Sequence, residues 1–238
     1  MKQRMRIAIT MGDPAGVGAE IIVKALWRVE VYNKCIPMVV GFSAVLLDEL
    51  GLGCLPFELV EIMEPEMADG RFGKIDFIDL KLLKKGDWVY KKNQEKCGYA
   101  SLKYVVKAID LAMKNKVNAV VTAPINKKSL RMADIPYDGH TEIFAKYTGT
   151  KKFAMLLASK YLHVIHVSTH CSLKEACERV KKDRIYEVIQ LADRGMRELG
   201  YENPKIAVAG LNQHSTEDGI FGYEEHKEIT PAIERDIR

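Results

Sequence analysis

The sequence lacks the marks of several function classes. It has five cysteines, Cys35, Cys54, Cys97, Cys171 and Cys177, an odd number with no CxxC pair. That argues against a disulfide framework and leads us to expect a reducing, cytoplasmic compartment. No apolar run approaches the roughly 20 residues needed to cross a bilayer. The opening MKQRMRIAIT is basic but runs within a few residues into a glycine-rich turn, so it is not a signal peptide, and no membrane partner is expected. A dominant charge is also missing: 36 Lys and Arg against 32 Asp and Glu leave +4, spread along the chain. Basic pairs such as Lys84-Lys85 and Lys181-Lys182 read as solvated faces, so no nucleic-acid partner is expected either. There is no G-x-G-x-x-G fingerprint, no P-loop, no nucleophile elbow, no HExxH, no internal repeat and no low-complexity segment.

What is present is the composition of a folded protein. Of the 238 residues, 47% are hydrophobic and 29% charged, enough for one large or two small domains. The apolar segments RIAITM, IPMVVGF, FELVEIM and VNAVVTA read as strands. Helical patterns alternate with them: AEIIVKALWRV, SAVLLDELG with Ser43 as N-cap and Gly51 as C-cap, and YASLKYVVKAIDLAMKNK. Residues 64–97 read as loops and short strands. Further on, GHTEIFAKYTG and residues 172–199 read as helical. FAMLLAS, LHVIHVS and PKIAVAGL read as strands, and GYEEHKEITPAIERDIR as the start of a last helix. This alternation predicts an α/β fold with a mostly parallel sheet and functional loops at the strand C-terminal ends.

Four loops carry candidate chemistry. TMGDPAGVGAE spaces its glycines as G-x3-G-x-G. It is either a strand-to-helix corner needing positive φ, or a loop whose N–H groups and Asp13 face a ligand. VVTAPINKKSL sets Thr122, Asn126 and Lys127 on a loop and helix start, where a lysine can hold an anion or simply be solvated. YDGHTE places His140 and Thr141 at a helix N-terminus, a natural anion site, although Asp138 or Thr141 could merely cap the helix. In STHCS and GLNQHSTEDG, His170 and His214 each follow a predicted strand and could begin a divalent-metal site. Glu217, Asp218 and His226 lie near enough in sequence to supply a third ligand. His163 and His166 read as structural.

The ordered series ITMGDPAGVGAEI, VVTAPINK, GHTEIFAKYTGT, STHCSL, AGLNQH and FGYEEHKEITPAIE resembles the 4-hydroxythreonine-4-phosphate dehydrogenase (PdxA) family over essentially the whole chain. The resemblance implies a fold like that of isocitrate and isopropylmalate dehydrogenases: two α/β domains, here 1–125 and 126–238, with a cleft between them, in a homodimer. It implies NAD-dependent oxidation, with decarboxylation, of a small phosphorylated hydroxy acid. That acid is 4-phosphohydroxy-L-threonine, giving 3-amino-2-oxopropyl phosphate for pyridoxal 5'-phosphate, or a related 4-phosphorylated threonate or erythronate. It implies that His140 and Thr141 meet substrate, where the loop readings add Asp13 and Lys127 as substrate candidates, and that His170 and His214 bind a divalent metal (Zn, Mg, Mn or Co). The family's third metal histidine, its substrate Lys, Asn and Arg, and much of its NAD site are expected beyond the stretch matching Arg238. GLNQHSTED also departs from the family's GLNPHAGE. These two departures support an alternative expectation, a non-catalytic remnant or binding subunit of the same fold.

Overall fold

The structure is a computed structural model that describes residues 4–53, 56–137 and 139–236. The expected helix cap Asp138 lies outside the described residues. By its packing the chain forms two compact units, Met1–Thr150 and Lys151–Arg238. The division falls later than a boundary after residue 125 because the helices following β5 pack on α4, within the first unit.

The first unit is built on strands β1 (Met5–Thr10), β2 (Cys35–Gly41), β3 (Glu58–Glu61), β4 (Lys74–Asp79) and β5 (Ala119–Thr122). They form one parallel sheet in the order β3-β4-β2-β1-β5. The connecting helices are α1 (Gly18–Leu26), α2 (Val29–Lys34), α3 (Ser43–Leu52) and α4 (Glu95–Met113), followed by α5 (Lys127–Met132) and α6 (His140–Thr148). The parallel sheet is therefore as expected. Continuous apolar runs such as PMVVG suit strands covered on both faces. Met38, Val39, Val40, Ile75, Phe77, Val45, Leu46 and Tyr104 form the heart of the core, all at 1% exposure or less. A second cluster, around Val105, Leu130 and Ile143, joins α4, α5 and α6.

Within residues 64–97 a strand forms, in keeping with the reading of loops and short strands, and two expected helix caps are corrected. The polar stretch after residue 64 holds a full inner strand, β4, in which Asp76 is buried and accepts the Gly70 N–H at 2.9 Å. Ser43 is not an N-cap: Phe42 occupies that place, and the Ser43 hydroxyl donates to Asp79 instead. Helix α3 also runs through Gly51, to a C-cap at Gly53.

The register aligns Thr10 with both Val40 and Thr122. The loops leaving β1 and β5 therefore emerge side by side at the carboxyl edge, the edge where open α/β sheets bind ligands. They also lie where the strand order reverses, with β2 on one side of β1 and β5 on the other.

The second unit holds β6 (Leu156–Ala158) and β7 (His163–Ile165), an antiparallel pair of three residues each. Helices α7 (Leu173–Arg179) and α8 (Lys182–Glu198) follow, then a π-turn at Glu225–Ile229 running into α9 (Thr230–Asp236). Ile185 and Ile189 of α8 meet Ile229 and Ala232 in a small core. The expected strand PKIAVAGL is not formed, which is a correction. Among the described residues no strand pairs with it, and an unpaired strand cannot satisfy its backbone groups. No described helix is long and apolar enough to cross a membrane.

Candidate functional site

In the first unit the opening loop is the corner that one reading expected. Gly12 has φ +74°, and a Cβ there would stand 2.3 Å from the Pro124 carbonyl oxygen. Only glycine permits that approach. The Asp13 N–H donates to the same carbonyl at 3.0 Å, and the Ala123 N–H donates to Thr10 at 3.0 Å. The β1 and β5 loops are thus laced together by backbone bonds.

Asp13 does not present a free carboxylate. It is 4% exposed. One oxygen accepts the Ala15 N–H at 2.8 Å, and the other accepts the Ser129 hydroxyl at 3.2 Å. Burial raises its pKa above the usual carboxylate value, and these two donors pull it partly back. Thr122, at the end of β5, is half-buried. Asn126 caps α5, accepting the Lys128 and Ser129 N–H groups at 2.9 and 3.1 Å. This leaves Lys127 exposed at the start of the helix.

His140 and Thr141 open α6, whose N-cap is Gly139 and whose first turn also carries Glu142. Thr141 is therefore in the first turn rather than in the capping position. The Ala123 carbonyl lies near the His140 ring and favours its protonated form. Its Nε2 is buried and has no hydrogen-bond partner among the described residues. Burial holds His140 below the ordinary histidine range, outweighing the carbonyl's opposite pull, so the ring is neutral at pH 7. Sheet register thus brings Asp13, Asn126, Lys127 and His140 to one edge of one unit.

The second unit carries the other two histidines. His170 is exposed and adopts φ +52°, a conformation uncommon for a residue with a side chain. His214 pairs Nδ1 with Glu217 at 2.6 Å and stacks on Phe221, the ring centroids being 4.8 Å apart. Ser215, Thr216 and Glu217 all have positive φ, so the turn after His214 is tightly wound. A carboxylate on Nδ1 is how metal-ligating histidines are commonly oriented, with Nε2 presented as the lone-pair donor. The donor chemistry therefore suits a divalent ion in part. Among the described residues, no three His, Cys, Asp or Glu side chains converge as a complete metal site. His163 bonds to Tyr201 at 3.2 Å, in keeping with a structural role.

Sequence reasoning missed two groups. Ser129 is fully buried beneath Asp13. Gly98, within α4, was the available signal for it: a glycine inside a helical pattern marks a close approach, here to the Ser129 carbonyl. Glu225, at the start of the π-turn, is buried and accepts the Leu211 N–H at 2.9 Å, bracing the loop that bears His214.

Residues 33–237 match the family described as pyridoxal phosphate biosynthetic protein PdxA. Along its whole length the chain is 41% identical to a protein of Oceanobacillus iheyensis provisionally named D-threonate 4-phosphate dehydrogenase, and spans 72% of it. A crystal structure of 4-hydroxythreonine-4-phosphate dehydrogenase from Klebsiella pneumoniae superposes with a TM-score of 0.89 at 38% identity, over 98% of this chain and 70% of that one. The corresponding enzyme structure from Burkholderia phymatum gives 0.85 at 35% identity, over 98% of this chain and 71% of that one.

Proposed function

The chain belongs to the PdxA family of pyridoxal phosphate biosynthetic proteins, and on that premise we propose that it is a dehydrogenase of a 4-phosphorylated, threonine-like hydroxy acid, using NAD and a divalent metal. The substrate classes are those in the relatives' names, D-threonate 4-phosphate and 4-hydroxythreonine 4-phosphate. In this reading oxidation of the hydroxyl is followed by loss of CO₂, and the protein works as a homodimer in the cytoplasm.

The observation that carries the reading is His140. It opens α6 with a buried Nε2 lacking any protein partner among the described residues. A buried nitrogen left open in this way costs stability unless a ligand engages it. Being neutral, the ring can bond a substrate oxygen without adding charge. The Thr141 hydroxyl, the Lys127 ammonium and the N–H groups opening α6 suit the phosphate. Asp13 backs this edge from below.

His170 and His214 would hold the metal, Glu217 keeping the His214 ring oriented. When bound, the metal supplies a Lewis acid for the reacting hydroxyl, and NAD supplies the hydride acceptor. The choice among Zn, Mg, Mn and Co is open to titration.

The test is NADH formation by the purified, folded protein, with light scattering for the dimer. The substrates are 4-phosphohydroxy-L-threonine, D-threonate 4-phosphate and D-erythronate 4-phosphate, each with NAD and a divalent metal. We expect chelator-sensitive activity that falls by roughly 100-fold or more in His170→Ala. A folded protein that forms no NADH with any of the three acids would overturn the proposal. It would leave the binding-subunit reading in its place.

A further inference from the structure

Resting on the substrate role proposed for His140, we propose that Asp13 is a positioning residue: its carboxylate fastens the segment 123–129, and thereby the Ala123 carbonyl that lies beside the His140 ring. The residue grips that segment at both ends. Its N–H donates to Pro124 at 3.0 Å, and its side chain accepts the Ser129 hydroxyl at 3.2 Å. Between these anchors lie Asn126 and Lys127. Immediately before them lies Ala123, whose carbonyl meets the His140 ring.

The anchor has little freedom. Ser129 is 0% exposed. Its oxygen accepts the Gln94 N–H at 3.2 Å while its proton goes to Asp13, so the hydroxyl cannot turn without losing one bond. Helix α4 closes the far side: a Cβ on Gly98 would lie 2.0 Å from the Ser129 carbonyl oxygen. Three segments, 11–16, 94–98 and 123–130, thus meet at one carboxylate and one hydroxyl, which add to the backbone bond from Asp13 to Pro124.

A charged group is an expensive fastener here. Burial penalises the ionised form, and removing such a charge is often neutral or stabilising. What a carboxylate adds is direction: two oxygens accept from two fixed donors and set the loop to within a hydrogen bond's tolerance. Stability alone would favour an apolar corner, whereas alignment of His140 calls for the carboxylate.

The test uses the full chain with Asp13→Asn and, as a second variant, Ser129→Ala. Circular dichroism and a thermal melt establish folding. The readouts are the NMR titration of the His140 ring without ligand, hydrogen exchange across 123–130, and KM and kcat for the best of the three acids. We expect Asp13→Asn to melt at or above the wild-type temperature. In both variants the His140 titration should move further below 6.5, because the Ala123 carbonyl that pulls it upward is no longer held against the ring, exchange across 123–130 should quicken, and KM should rise on the order of tenfold. Unchanged His140 titration and unchanged exchange in folded variants would overturn the inference. If the wild-type protein oxidises none of the acids, the proposed function falls. The titration and the exchange still decide the role of Asp13.

Discussion

The unit Met1–Thr150 and the unit Lys151–Arg238 are written in the same residue alphabet and differ in what they bury. The first has five parallel strands of four to seven residues and a core that includes Phe77, Met38 and Tyr104. The second has two strands of three residues and a core of Ile185, Ile189, Ile229 and Ala232, and α7 buries no residue at all. The contrast teaches that an apolar β-branched run is not sufficient for a strand. AVVT became β5 because β1 was there to pair with it. PKIAVAGL has the same character and remains irregular, with no strand beside it among the described residues.

The largest test of the contrast is a pair of core truncations. Phe77→Ala in the first unit should cost about 3–5 kcal/mol, since Phe77 is fully buried in β4. Ile229→Ala, in the small core, should fall at or below the lower end of the roughly 2–5 kcal/mol typical of such changes. Denaturant melts of the two variants measure both, and equal losses would break the comparison.

A smaller effect sets one helix cap against another. Asn126 accepts two N–H groups at the start of α5, whereas Ser172 accepts one, at 3.2 Å, at the start of α7. Asn126→Ala should cost about 1 kcal/mol, and Ser172→Ala about half that. A thermal melt resolves the difference, and the reverse order would contradict it.

The smallest effect is on pH. His140 is held below 6.5 in the folded first unit, so the unfolded chain binds the extra proton more readily. Stability contributed by the neutral ring is present above pH 6.5 and is lost as pH falls toward the depressed value. Denaturant melts between pH 7 and pH 5 should show a shallower decline for His140→Asn than for wild type. A matching change in slope for His163→Asn, in the second unit, would show that the effect is not specific to the His140 site.

Much of the first unit was legible from periodicity. β1, β2 and α4 announce themselves because continuous apolar runs and a 3.6-residue stripe have few other uses. β4 was legible only as one unplaced short strand within residues 64–97, because KIDFID interrupts its apolar residues with carboxylates. One of these, Asp76, is tolerable inside because backbone N–H groups such as that of Gly70 meet it. Ser43 looked like a cap and is a partner for Asp79 instead. The second of these meetings joins residues 36 apart in the chain, and no local pattern reports it.

The site divides in the same way. The motif around His140 was readable, and so was the need for glycine at residue 12. The sequence by itself determined which segments prefer to be strand or helix and where the chain must turn on glycine, because propensity and turn geometry act over a few residues. Only the tertiary structure decided that Asp13 spends both oxygens on Ala15 and Ser129 while His140 keeps Nε2 unpartnered. Burial and hydrogen bonding depend on what the rest of the chain brings alongside, and here a parallel register sets the β1 and β5 loops shoulder to shoulder.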